Sequence, residues 1–222
     1  MEKRELIVFS VKNLILEKGY SNISVEDITK NLGIAKGSFY TYFKSKHCVI
    51  DYILLEQLTK IEEKIKYFFE ENMKLEDCIK KLVSARIILE DDDMIKRNLV
   101  IVSLFRNLDS LDKETLGLLR EIEEKNIEVI SQVIKKYRVD INDKELRIYS
   151  KMLNDMINSY KNFNLFISEK TRAFITTTNE LREKYKEKNF QINIEILIES
   201  ILKILTESVN LKWKRGNRYG NW

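Results

Sequence analysis

Between Ser24 and Lys46 the chain gathers hydrogen-bonding and cationic side chains, among them Lys36, Ser38, Tyr40, Thr41, Tyr42 and Lys46. A lysine opening a short helix, as Lys36 does, can donate to guanine O6 and N7, the commonest specific contact in a major groove. Gly37 beside it permits close approach of the backbone. Ser24 reads as a helix N-cap, and the amides around Ser24 and Val25, at the positive end of the helix dipole, suit a phosphate. Residues 1–47 hold eight Lys and Arg against five Asp and Glu, a net of +3. That excess is compatible with phosphate contact but does not demand it. The chemistry in view is non-covalent recognition of nucleic acid.

Catalytic alternatives find little support. His47 is the one histidine of the chain, so neither a histidine-rich metal site nor a Ser-His-Asp triad can be assembled around it. Cys48 and Cys78 make no CxxC pair, and there is no glycine-rich phosphate loop and no Glu-x-x-His pair. No enzyme activity, metal or cofactor is expected.

The elements that must hold these residues are helices. Six glycines and no proline in 222 residues are too few for a turn-rich β or α/β architecture. Ile7, Val8, Val11, Leu14 and Ile15 form one stripe of a helix from about Glu2 to Lys18, closed by Gly19 as a left-handed C-terminal residue. Val25, Ile28 and Leu32 face one side of a two-turn helix that Gly33 ends. A third short helix runs from Lys36 to Phe43, with Phe39 and Phe43 on a shared inner face at i, i+4. Two short helices joined by a tight glycine-containing turn make a helix-turn-helix. A long helix follows from about Ser45 to Glu71, then others near 75–90, 93–107, 112–137, 143–168 and 191–212. Aspartates at 91–93, 109–112 and 140–143 supply turns and caps, and the polar stretch 168–189 fits no clear element.

The run GYSNISVEDITKNLGIAKGSFYTYFKSKHCVI resembles the N-terminal domain of the TetR (tetracycline-repressor-like) family of bacterial transcription regulators. Gly19-Tyr20, Ser24-Val25, Asp27-Ile28, Leu32-Gly33-Ile34, Gly37, Tyr40, Tyr42-Phe43 and Lys46 carry the likeness, which covers residues 5–55. The resemblance implies an all-α fold: a three-helix helix-turn-helix domain over residues 1–47, a helical effector-binding and dimerisation domain over 48–212, and a basic aromatic tail over 213–222. It implies that Ala35, Lys36, Gly37, Tyr40 and Thr41 face a major groove while Ser38, Tyr42 and Lys46 meet phosphate. Ala35 departs from the polar residue often found at its position, which implies that this base contact is lost or is replaced by an apolar contact to a thymine methyl. The implied function is a cytoplasmic repressor, released from a palindromic DNA operator by a small ligand. An architectural DNA-binding protein without an effector is the alternative, and a helical enzyme a more distant one.

In the remainder of the chain, Leu146, Tyr149, Leu153, Met156, Tyr160, Phe163 and Ile167 step by three and four in a heptad-like seam. The last helix is apolar around most of its circumference and must be covered on more than one side. Together with the resemblance, this points to a homodimer through Leu146, Tyr149, Leu153, Ile198, Ile201 and Leu205. The resemblance also places an effector pocket in the helical body. Tyr67, Phe68, Met94, Phe105, Met152, Met156, Tyr160 and Phe163 are its candidate lining, which would suit an apolar or aromatic ligand. No apolar run approaches a membrane span, and no membrane partner is expected.

Overall fold

The computed structural model describes residues 2–68, 73–167, 175 and 177–211, the side chains of 64–68 and 207–211 excepted. Its architecture is all-α. The head comprises α1 (Lys3–Lys18), α2 (Val25–Leu32) and α3 (Lys36–Tyr40). The body comprises α4 (Lys46–Phe68), α5 (Leu75–Ile87), α6 (Asp92–Phe105), α7 (Lys113–Tyr137), α8 (Asp143–Tyr160), α9 (Thr178–Lys186) and α10 (Lys188–Leu211). A π-helical turn over Lys161–Leu165 extends α8.

Local sequence fixes most of these boundaries. Asp91, Asp112, Asn142 and Thr177 each accept a hydrogen bond from the backbone amide three residues on, capping α6, α7, α8 and α9. The aspartate clusters therefore do start helices. Thr177 opens α9 within the stretch that the sequence left unassigned. Gly33 ends α2 in the left-handed region (φ 63°, ψ 33°), as a tight turn between two helices requires. Gly19 differs from expectation: its φ is 83° but its ψ is 150°. That extended, positive-φ conformation is essentially restricted to glycine, and it turns the chain into a 3-10 turn over Tyr20–Asn22.

Helix α4 belongs to both parts. Its N-terminal residues Val49, Ile50 and Ile53 are fully buried, as are Ile28 and Phe39 of the head, and Phe43 is buried in the same core, while its middle packs along α7. Thr115 at the start of α7 donates its hydroxyl to Asp51 of α4 at 2.7 Å. The apolar core runs without a break from head to body. A rigid helix shared in this way carries any displacement of the body into the head.

Candidate functional site

The outward face of the head is built by its inward one. Phe39 and Phe43 are buried, their rings 6.2 Å apart, and Phe43 meets Tyr52 of α4 edge-on at 5.9 Å. With that side of α3 turned inward, Ala35, Lys36, Gly37, Tyr40 and Thr41 are all exposed on the other. Tyr40 keeps 48% of its surface although its ring touches Phe39. An aromatic of that size at a helix end is otherwise a favourable residue to bury. A Cβ at Gly37 would meet nothing within 4 Å, so its small size serves no contact inside the chain. Ser38 and Tyr42 are half-buried at the edges of this face.

Two residues differ in detail from the sequence reading. Ser24 does cap α2, but its hydroxyl and amide both engage the Asp27 carboxylate, at 2.5 and 2.9 Å. These bonds hold the Asp27 carboxyl below the usual aspartate range. The amides of Val25 and Glu26 remain as the outward donors of that helix end. Lys46 turns inward: its ammonium donates to the carbonyls of Tyr20 and Ile23 at 3.0 and 2.9 Å and lies 4.4 Å from the centre of the Tyr20 ring. Burial lowers its pKa. Lys46 thus ties the start of α4 to the loop before α2, and the phosphate role implied for it has no support in this geometry. Lys36 is paired with the Glu26 carboxylate, which raises the lysine pKa and lowers that of the acid.

An ionic clamp with buried cations joins head to body. Lys12 interrupts the apolar stripe of α1 and is only 3% exposed. Its ammonium donates to Asp93 of α6 at 2.6 Å and lies 3.7 Å from Glu56 of α4. Arg97 pairs with the other oxygen of Asp93 at 2.8 Å and donates to Gln57 at 3.1 Å. A second seam holds the loop before α2. Tyr20 hydroxyl and His47 Nδ1 lie 2.7 Å apart, His47 approaches Asp112 at 3.3 Å, and Ser21 bonds Ser110 at 2.8 Å.

Asp93 and Arg97 also line a cavity of about 770 Å³ whose wall is drawn from α4 to α8 and the π-helical turn that follows. That volume lies in the range of small-molecule sites. Met94 and Phe105 line it as expected. Met152, Met156, Tyr160 and Phe163 do not: Met152 and Phe163 are exposed at 47% and 68%, and Tyr160 is buried with its hydroxyl donated to the Phe190 carbonyl. The side chains of Tyr67 and Phe68 lie outside the described residues. The wall is mixed: Leu82, Ile101, Val102, Ile122 and Val129 form an apolar side, and Gln57, Arg86, Asn98, Glu123, Asn126 and Asn158 add polar groups. The apolar side agrees with the expected lining, and the polar groups were not expected. A signal for them was available in the sequence: Asn154 and Asn158, four residues apart, fall beside the inward positions Leu153 and Ile157 of α8.

The proposed dimer residues are redistributed as well. Leu153, Ile201 and Leu205 are 0–2% exposed within the single chain, Leu146 and Ile198 are buried, and Tyr149 is half-buried against the core. They form the chain's own interior. Helix α10 packs against α5 and α9; Tyr160 at the end of α8 donates to the Phe190 carbonyl near its start (3.2 Å), and Arg138, which closes α7, donates to the Leu205 carbonyl (2.7 Å). Ile148 and Met152 of α8 and Ile192 and Ile196 of α10 are exposed.

Comparison with known proteins places the head in a familiar setting. Residues 12–52 match the family model described as bacterial regulatory proteins, tetR family. The HTH-type transcriptional regulator YvdT of Bacillus subtilis is 41% identical over 64 residues, 29% of this chain and 33% of that protein. The fatty acid metabolism regulator protein of Bacillus subtilis is 27% identical over 97 residues, 44% of this chain and 48% of the other. The chain thus spans less than half the length of these curated relatives. Among solved structures, a transcriptional regulator from Rhodococcus sp. Rha1 superposes with a TM-score of 0.65 at 14% identity, over 91% of this chain and 97% of that one. A TetR transcriptional regulator from Legionella pneumophila gives 0.64 at 15% identity, over 90% and 97%. At such identities the superpositions establish the shared fold, body included.

Proposed function

The chain belongs to the tetR family of bacterial regulatory proteins, and from that premise we propose that it is a repressor of transcription. In this reading it binds a twofold DNA operator as a homodimer and leaves it when a small molecule fills the cavity. The observation that carries the reading is the exposed face of Ala35, Lys36, Gly37, Tyr40 and Thr41, on a head whose opposite side is locked into the core of α4. Such a face presents base-reading groups at the start of a helix, the arrangement by which helix-turn-helix proteins enter a major groove. The neighbouring Val25 and Glu26 amides, with Ser38 and Tyr42, suit the flanking phosphates.

Release by a ligand is supported by the clamp. Asp93 and Arg97 border the cavity while Asp93 also holds Lys12 of the head. A ligand that shifts α6 by an ångström would therefore strain the seat of α1. Lys12 has a second acid, Glu56 on α4, within 3.7 Å. That gives the head two discrete attachments, which a ligand can bias only through unequal affinity for them. Dimerisation is supported by the exposed apolar side chains Ile148 and Met152 of α8 and Ile192 and Ile196 of α10, which a second copy would cover in a twofold association.

Selection of bound sequences from a random DNA pool tests the reading directly. A repressor of this kind recovers an inverted repeat, which it binds as a dimer. Recovery of no preferred sequence, with uniform coating of DNA, would instead indicate an architectural protein.

A further inference from the structure

Resting on the reading of the cavity as the effector site, we infer that the effector is a polar acid whose carboxylate or phosphate docks on Arg86. Arg86 projects from α5 into the wall of the cavity. Its Nη1 donates to Asn154 Oδ1 at 2.7 Å and its Nη2 to Asn158 Oδ1 at 2.6 Å. Those amides are oriented by their other ends, which donate to Glu123: Asn154 Nδ2 at 2.5 Å, Asn158 Nδ2 at 3.1 and 3.2 Å. The carboxylate nearest in charge is thus held one side chain away, and among the described residues Arg86 makes no ion pair within 4 Å.

This is an expensive way to bury a cation. Direct bidentate pairing with a carboxylate would compensate the desolvation, and an apolar side chain would avoid it. Two asparagines and a glutamate are used instead to hold the guanidinium in place while leaving its charge without a contacting anion. A guanidinium carries five N–H donors, and the two amides accept from two of them. Burial lowers the Arg86 pKa to about 10, so the group is still a cation at neutral pH.

The other polar groups of the wall agree. Its acids are committed: Asp93 to Lys12 and Arg97, Asp91 to the Met94 amide, and Glu123 to the two asparagines. Lys60, Arg97 and Lys161 are further cations of the wall, Lys161 donating to Asn98 at 3.0 Å. A ligand here meets more donors than acceptors, and its anion completes the pairing that Arg86 lacks. The apolar side of the wall takes its carbon frame.

The test uses the full chain and four anions, citrate, glutarate, 4-hydroxybenzoate and inorganic phosphate, with glutaramide and 4-hydroxybenzamide as uncharged matches. Thermal stabilisation and calorimetric titration are the readouts. At least one anion should bind saturably, while the uncharged matches bind at least tenfold more weakly; phosphate and the carboxylates report separately on the two kinds of anion. This comparison needs no variant. Arg86→Gln should then abolish the preference for acid over amide, and Arg86→Lys should keep part of it. Equal binding of acid and amide, or no response to any of the four anions, overturns the inference. If amides bind and release DNA, the cavity remains the effector site and only the assignment of an acid fails. If acids bind without changing operator affinity, the acid site stands and the release reading fails.

Discussion

Side-chain type alone did not tell Lys36 and Lys46 apart; their surroundings do. Both are lysines at a helix start, Lys36 of α3 and Lys46 of α4, and both suit a phosphate or a base. Lys46 satisfies two backbone carbonyls, so Lys46→Met should leave them without a donor and cost about 1–3 kcal/mol of stability. A lysine that only met phosphate would weaken DNA binding while leaving the melting temperature unchanged, so thermal denaturation separates the two roles. Lys36 is exposed and held by Glu26, an acid on the face that would approach DNA. Releasing that lysine and removing a charge that repels phosphate both favour the complex. Glu26→Gln should therefore raise operator affinity several-fold in a shift assay, and Lys36→Ala should lower it and relax preference at one base pair. A Glu26→Gln protein that binds more weakly would mean that the ion pair itself positions the reader. The pairing of Phe39 with Phe43 is legible from spacing, because an apolar i, i+4 pair has one place to go. The partner of a lysine is set by what folds against it, and a linear sequence does not display that.

At the scale of elements, the boundaries were legible because they rest on local chemistry. Asp91, Asp112 and Asn142 announce helices by type and position, and Gly33 ends one. The docking of α1 on α6 was not legible, although its trace is present in Lys12, a cation set within an apolar stripe. The clamp predicts a pH dependence. Burial pushes the Asp93 carboxyl up, but the hydrogen bonds and charges of Lys12 and Arg97 outweigh it, and the pKa ends below the usual aspartate value. A depressed folded pKa contributes stability above the unfolded value, about 3.9, and that stability is lost as pH falls through the lower folded value. Lys12→Met removes much of the depression. The melting temperature of the natural chain should exceed that of the variant by the most above about pH 4, and the gap should narrow in stronger acid. At neutral pH the expected cost is about 1–2 kcal/mol, less than for a fully enclosed pair because the Asp93 side chain is 57% exposed. A gap that stays constant from pH 3 to pH 7 would mean that Lys12 acts through packing alone. The same variant should blunt any effect of a cavity ligand on DNA affinity, since α6 would lose its ionic hold on α1.

For the whole molecule, the heptad-like seam of α8 faces inward from Leu146 to Tyr160 and stops there, since Phe163 is exposed. A stripe at three- and four-residue spacing states that one side of a helix is covered; it does not state which chain covers it. Helix α10 poses the same question twice, since Leu197, Ile198, Ile201 and Leu205 are buried while Ile192 and Ile196 remain exposed. Only the fold sorts the two sets. Because Ile196 and Met152 are exposed in the single chain, replacing both by aspartate should leave its core intact, with helical content and cooperative unfolding retained. The same change at Leu153 should prevent folding, since it would bury an unpaired charge. If the exposed side chains of α8 and α10 are where two copies meet, the Met152→Asp, Ile196→Asp protein should sediment as a monomer. Its operator affinity should fall by about a hundredfold, because each head would then bind its half-site without the high effective concentration that a partner supplies. Half-site binding itself should persist, since the heads lie far from the substitution along the chain. A variant that still sediments as a dimer and still holds the full operator would show that the copies meet elsewhere. The exposed side chains would then be open to a different partner.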